Sequence, residues 1–115
     1  MVATLHHYIN GQRVAGKSGR FGDVFNPATG ERTAQVPFAN QTEVSHAVEA
    51  AEKAQVEWAK VPPLQRARVM FRFKELVEKH MDELARLITA EHGKVLSDAR
   101  GSLIRGLEVV EFACG

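Results

Sequence analysis

With 115 residues, 44% of them hydrophobic and 25% charged, the chain has the length and composition of one soluble domain with one core. Fifteen Lys and Arg against fourteen Asp and Glu leave a net charge of +1, which argues against nucleic acid or an anionic membrane as a partner. No run approaches the roughly eighteen consecutive apolar residues of a membrane span, and the lone Cys114 forms no internal disulfide.

The opening "MVATLHHYINGQRV" has neither a basic leader followed by an apolar run nor a small-residue cleavage site, so the expected compartment is the cytoplasm, or an organelle matrix after signal removal. Within "LHHYINGQRVA", Asn10-Gly11 stands between two short runs and favours the positive φ angles of a type I′ turn, which predicts a β-hairpin. In "DVFNPATGERTAQVPFA", Asn26-Pro27 and Thr29-Gly30 interrupt strand-like Val24-Phe25 and Thr33 to Val36, which predicts a second extended pair.

Helical periodicity begins at "NQTEVSHAVEAAEKAQVEWAKV". Asn40 and Glu43 have the spacing of a capping box, and Val44, Ala47, Val48, Ala51, Ala54 and Trp58 follow in three- and four-residue steps. Pro62 and Pro63 end that helix. A second helix carries Ala67, Met70, Phe71, Val77, Leu84, Leu87 and Ile88, bent or broken near His80 and Met81, with Gly93 as its stop. A third runs from about Ser97 to Ala113, with Leu103, Leu107, Val110 and Cys114 on one stripe.

The expected fold is therefore α/β and mostly helical: two hairpins over residues 1–39, about three amphipathic helices over 40–115, and no separate second domain. Four short strands cannot cover helices with apolar faces as wide as "MFRFKELV", so this reading expects an incomplete unit whose faces something else covers.

Few residues invite chemistry. Cys114 is a possible nucleophile, but it lies near the carboxyl end of a helix, where the macrodipole disfavours a thiolate, and on an apolar stripe where burial is the ordinary outcome. His6, His7, His46, His80 and His92 are scattered, with no partner at metal-ligand spacing. Neither "GKSGRFG" nor "ARGSLIRG" matches a dinucleotide-binding glycine pattern, and Glu49, Glu52 and Glu57 line a solvated helix face. Catalytic, cofactor-binding and metal residues are thus expected to be absent.

Arg105 is the exception. It stands about 200° around the helix from Leu107, on a different face. Helical side chains lean toward the amino terminus, which would lay Arg105 over Gly101 and Ser102, free to reach a carboxylate across open space. The alternative is an ion pair with Glu108, one turn away.

The motifs "NPATGE" at Asn26 to Glu31, the alanine-rich Ala47 to Trp58, Arg66 to Ala85, and Glu91 to Lys94 together resemble the amino-terminal part of the aldehyde dehydrogenase superfamily. The resemblance covers the whole chain. Arg105, Gly106, Val110 and Glu111 match the Arg-Gly-x-x-x-Val-Glu helix of its CoA-acylating methylmalonate-semialdehyde branch; the position before Leu103, often acidic there, is Ser102 here.

The resemblance implies an amino-terminal segment of the NAD-binding domain, inactive by itself, from an enzyme that oxidises methylmalonate or malonate semialdehyde to an acyl-CoA. In that chemistry a cysteine attacks the aldehyde, hydride passes to NAD, and coenzyme A takes the acyl group. The cysteine and the nucleotide-binding segments lie further along the chain in relatives, and Cys114 matches the helix cysteine of the pattern, not the active one. It further implies that Arg105 binds the substrate's carboxylate, and that the remainder of the enzyme and sister subunits of a homo-oligomer are the partners. Another aldehyde or semialdehyde dehydrogenase of the superfamily, and a non-catalytic helical interaction module, are the rival readings.

Overall fold

The computed structural model describes residues 2–115. Their order is β1 (Ala3–Thr4), β2 (His7–Ile9), β3 (Gln12–Val14), β4 (Phe21–Phe25), β5 (Arg32–Pro37), α1 (Gln41–Lys60), α2 (Pro63–Lys79), α3 (Met81–His92) and α4 (Leu96–Ala113). Two compact units divide between Lys60 and Val61, so α1 groups with the strands.

In the first unit β2 and β3 form the predicted hairpin, with Tyr8 opposite Arg13. Asn10 at φ 52° and Gly11 at φ 74° supply the two left-handed residues of a type I′ turn, a conformation glycine accepts without steric cost. The second predicted pair is β4 and β5, antiparallel from Phe21↔Pro37 to Phe25↔Arg32, with an irregularity between Val24 and Phe25. The "NPATGE" turn joins them. There the Asn26 N–H donates to Glu31 O at 2.8 Å, the Gly30 N–H donates to Asn26 O at 2.8 Å, and Asn26 Oδ1 accepts from the Ala28 N–H at 2.9 Å.

Strand β1 was not expected from the sequence. It pairs in parallel with β5, Ala3↔Ala34 and Thr4↔Gln35, and makes the sheet three-stranded in the order β1-β5-β4. Ala34 and Pro37 of β5 are buried. A Cβ on Gly16 would stand 2.4 Å from Pro37 Cβ, so only glycine allows the loop after β3 to lie this close.

The capping box at the start of α1 is formed in both directions: the Glu43 N–H donates to Asn40 Oδ1 and the Asn40 N–H to Glu43 Oε2, each at 2.9 Å. Glu43 does more than cap. Its Oε1 accepts the Lys17 N–H at 2.8 Å, and His7 Nε2 lies 3.9 Å from the same oxygen. Nearby, Ser18 Oγ donates to Phe38 O and Arg20 Nη2 to Ala39 O, so the loop after β3 is fastened to the entrance of α1.

In the second unit Pro63 takes the first position of α2, where its missing N–H costs nothing. The expected break falls at His80 (φ −104°, ψ 18°), which ends α2 and caps α3. Gly93, left-handed at φ 84°, closes α3 by donating to Thr89 O at 2.8 Å. Helix α4 packs on α2 and α3, and the buried side chains here are Ala85, Ala99 and Leu107. Lys74 of α2 bridges Glu78 at 2.7 Å and Glu111 of α4 at 3.4 Å.

Much apolar surface stays open. The periodic stripe of α1 contains no buried residue, and Leu64, Phe73, Leu76, Val109 and Phe112 of α2 and α4 are exposed, Phe112 at 88%. Expressed alone, the 115-residue chain should therefore bind hydrophobic dye and self-associate in light scattering. A compact monomer with a sharp melt and little dye uptake would show that these faces need no cover.

Hydrogen bonds from the backbones of Asn40 and Lys17 hold the Glu43 carboxyl below the ordinary glutamate value of 4.5. Because the folded-state value is depressed, the stabilisation is complete above the ordinary value and is lost as pH falls through the folded one. Amide exchange should show protection of the Lys17 and Asn40 N–H groups lost over that acid window, and the pH dependence abolished in Glu43→Gln. Protection independent of pH in the unsubstituted protein would show that the carboxylate is not what holds the loop.

Candidate functional site

The three residues between α3 and α4, Gly93 to Val95, deliver Lys94 to the start of α4. From there its ammonium lies 2.9 Å from Asp98 Oδ2 and donates to Ser102 Oγ at 2.9 Å. Ser102 Oγ in turn donates to Asp98 O at 3.3 Å and accepts from Arg105 Nη2 at 3.3 Å. Steps of four and three residues put Asp98, Ser102 and Arg105 on one face of α4, and Lys94 reaches that face from the loop before it.

Arg105 leans back as helical geometry demands: a Cβ placed on Gly101 would sit 3.4 Å from Arg105 Nη1. The alternative ion pair with Glu108 does not form. No carboxylate of the described residues lies within ion-pairing distance of the guanidinium. Of five N–H donors only one is engaged by a side chain, which leaves the fork able to take a carboxylate in two-pronged fashion.

The local field suits an anion. The Asp98 carboxyl is held below its ordinary value first by the hydrogen bond from Lys94 and then by that ammonium's charge, with smaller pulls from Arg105 and His92, so it stays ionised and offsets Lys94. Arg105 is the cation left over. The sequence reading singled out Arg105 and laid it over Gly101 and Ser102; Lys94 entered it only as the end of the Glu91 to Lys94 motif, and Asp98 not at all.

The other residues of the helix pattern have structural places. Glu111 pairs with Lys74, Val110 is half-buried, and Gly106 faces open space. Cys114 is half-buried, with Sγ 3.8 Å from Ala67 O of α2. Among the described residues no group of three or more His, Cys, Asp or Glu is placed to hold a metal, and no helix is long and apolar enough to cross a membrane.

The profile of the aldehyde dehydrogenase family matches residues 14–115. The chain belongs to the aldehyde dehydrogenase family. The resemblance read from "NPATGE" and the helix motifs is thereby borne out. This aldehyde dehydrogenase chain is 53% identical over 112 residues to malonate-semialdehyde dehydrogenase 3 of Geobacillus kaustophilus, covering 97% of this chain and 23% of that protein. It is 49% identical over 113 residues to the malonate-semialdehyde dehydrogenase of Pseudomonas aeruginosa, covering 98% and 22%.

Among solved structures, the methylmalonate-semialdehyde dehydrogenase of Oceanimonas doudoroffii matches with TM-score 0.94 and 54% identity over 99% of this chain and 23% of that one. A Sinorhizobium meliloti protein assigned to the same activity and crystallised with NAD matches with TM-score 0.96 and 48% identity over 100% of this chain and 23% of that one. The chain thus spans under a quarter of the length of these relatives.

The helix amino termini of the described residues are poor cradles for the pyrophosphate of NAD. A helix amino terminus with free N–H groups is a ready-made seat for a pyrophosphate. The first turns of α1, α3 and α4 carry Glu43, Asp82 with Glu83, and Asp98, while α2 opens on Pro62 and Pro63. Calorimetric titration of the isolated chain with NAD should give no saturable heat; saturation at micromolar concentration would reveal a cradle in these residues.

Proposed function

We propose that these residues form the amino-terminal part of an NAD-dependent, CoA-acylating dehydrogenase acting on methylmalonate or malonate semialdehyde. One observation carries the substrate class: Arg105 sits on a face of α4 with no carboxylate partner among the described residues, beside an ammonium already offset by Asp98. The names of the similar proteins support the same reading, since each carries a semialdehyde whose far end is a carboxylate.

In this reading the chemistry at the aldehyde carbon belongs to residues outside these 115, as do the contacts to NAD and coenzyme A. What this chain contributes is grip and orientation. Arg105 binds the distal carboxylate and so fixes which end of a short molecule faces the nucleophile. The remainder of the dehydrogenase and its sister subunits are the proposed partners, covering the open faces of α1, α2 and α4. The cytoplasm is the proposed location.

Truncating one partner of a buried, hydrogen-bonded charge pair costs about 2–5 kcal/mol, a factor of about thirty or more. In the full-length dehydrogenase, Arg105→Ala should lower kcat/KM for methylmalonate semialdehyde by about that factor. Propionaldehyde, which lacks the carboxylate, should be little affected. Arg105→Lys should recover part of the loss, because a point ammonium does not reproduce the guanidinium fork. An equal loss on both aldehydes would show that Arg105 serves the fold and not the substrate.

A further inference from the structure

We infer that Ser102 is a positioning residue for Arg105, itself held in place by the Lys94–Asp98 pair. This rests on the reading of Arg105 as the carboxylate grip and adds what aims it.

A serine hydroxyl has one hydrogen to give and two lone pairs to receive. At Ser102 all three are used: the hydrogen goes to Asp98 O at 3.3 Å, and the lone pairs take Lys94 Nζ at 2.9 Å and Arg105 Nη2 at 3.3 Å. The hydroxyl cannot turn without dropping a partner. Lys94 is the firm member of the set, its side chain only 18% exposed and its ammonium 2.9 Å from Asp98 Oδ2. That carboxylate offsets the ammonium, so Lys94 can share an acceptor with Arg105 at reduced repulsion.

The guanidinium is thereby tethered at one corner. Nη2 is bound to Ser102, and Nη1 lies over Gly101, where a Cβ would approach to 3.4 Å. An untethered arginine on a helix surface has several torsions to freeze before it can meet a carboxylate with both prongs. Because the acceptor is a neutral hydroxyl, the tether leaves the positive charge of Arg105 uncompensated and available to an anion.

The test uses the full-length dehydrogenase and compares methylmalonate semialdehyde with propionaldehyde. Loss of one hydrogen bond to a charged group should lower kcat/KM of Ser102→Ala for the semialdehyde by about tenfold, mainly through KM. Propionaldehyde should change by less than about twofold, because it makes no use of the tethered cation. Ser102→Thr, which keeps the hydroxyl, should restore the semialdehyde rate. Lys94→Met should give a smaller loss of the same selectivity, and it decides the matter should Ser102→Ala fail to fold. In an Arg105→Ala background, Ser102→Ala should add nothing further on either aldehyde.

A selective loss with Arg105→Ala but none with Ser102→Ala would overturn the positioning role and leave the substrate role of Arg105 standing. A loss from Ser102→Ala that persists in the Arg105→Ala background would also overturn it, since the serine would then act on the fold. An equal effect of Arg105→Ala on both aldehydes would overturn the substrate reading, and the positioning role with it.

Discussion

The close packing of α4 on α3, in a unit where Ala85 of α3 and Ala99 of α4 are both buried, is the constraint on which the charged cluster depends. Side chains this small let two helices lie close together, and a three-residue loop is then enough to connect them. A loop that short leaves Lys94 little choice of direction, and its ammonium falls back onto the first two turns of α4. A bulkier residue at either alanine would push α4 away from α3 and shift the frame in which Lys94, Ser102 and Arg105 meet.

The parts of the fold that could be read from the sequence are those set by local chemistry. Asn10-Gly11 announces its turn, Asn40 and Glu43 their reciprocal cap, Pro62-Pro63 and Gly93 their boundaries, and each acts within a few residues of itself. Strand β1 escaped because two residues carry no periodicity and its partner lies in β5, far along the chain. The ladder from Lys17 to Glu43 was hidden for the same reason: only the folded chain brings that backbone N–H to that carboxylate. At the candidate site, helical lean correctly placed Arg105 over Gly101 and Ser102, but physical spacing alone could not decide between Glu108 and open space. Family resemblance supplied the carboxylate.

The wide apolar surfaces belong to a chain that matches longer proteins. The chain matches two of them with TM-scores of 0.96 and 0.94 while spanning under a quarter of their length. Under the proposed function, exposed Phe112 and the stripe of α1 are faces that the remainder of the dehydrogenase covers. The polar network around Ser102, by contrast, draws all its side chains from α4 and the loop before it.

The parallel pairing of β1 with β5 has a consequence for how the chain is made. Antiparallel β4 and β5 are joined by a short turn and can meet as soon as both exist, whereas Ala3 has to wait for Ala34. At about 5–20 residues per second, a ribosome takes roughly two to six seconds to cover that separation. During that interval β1 has no sheet to join. When β5 arrives it offers a bare edge, and β1 closes it, so the pairing of β1 waits for the last of the five described strands to be made.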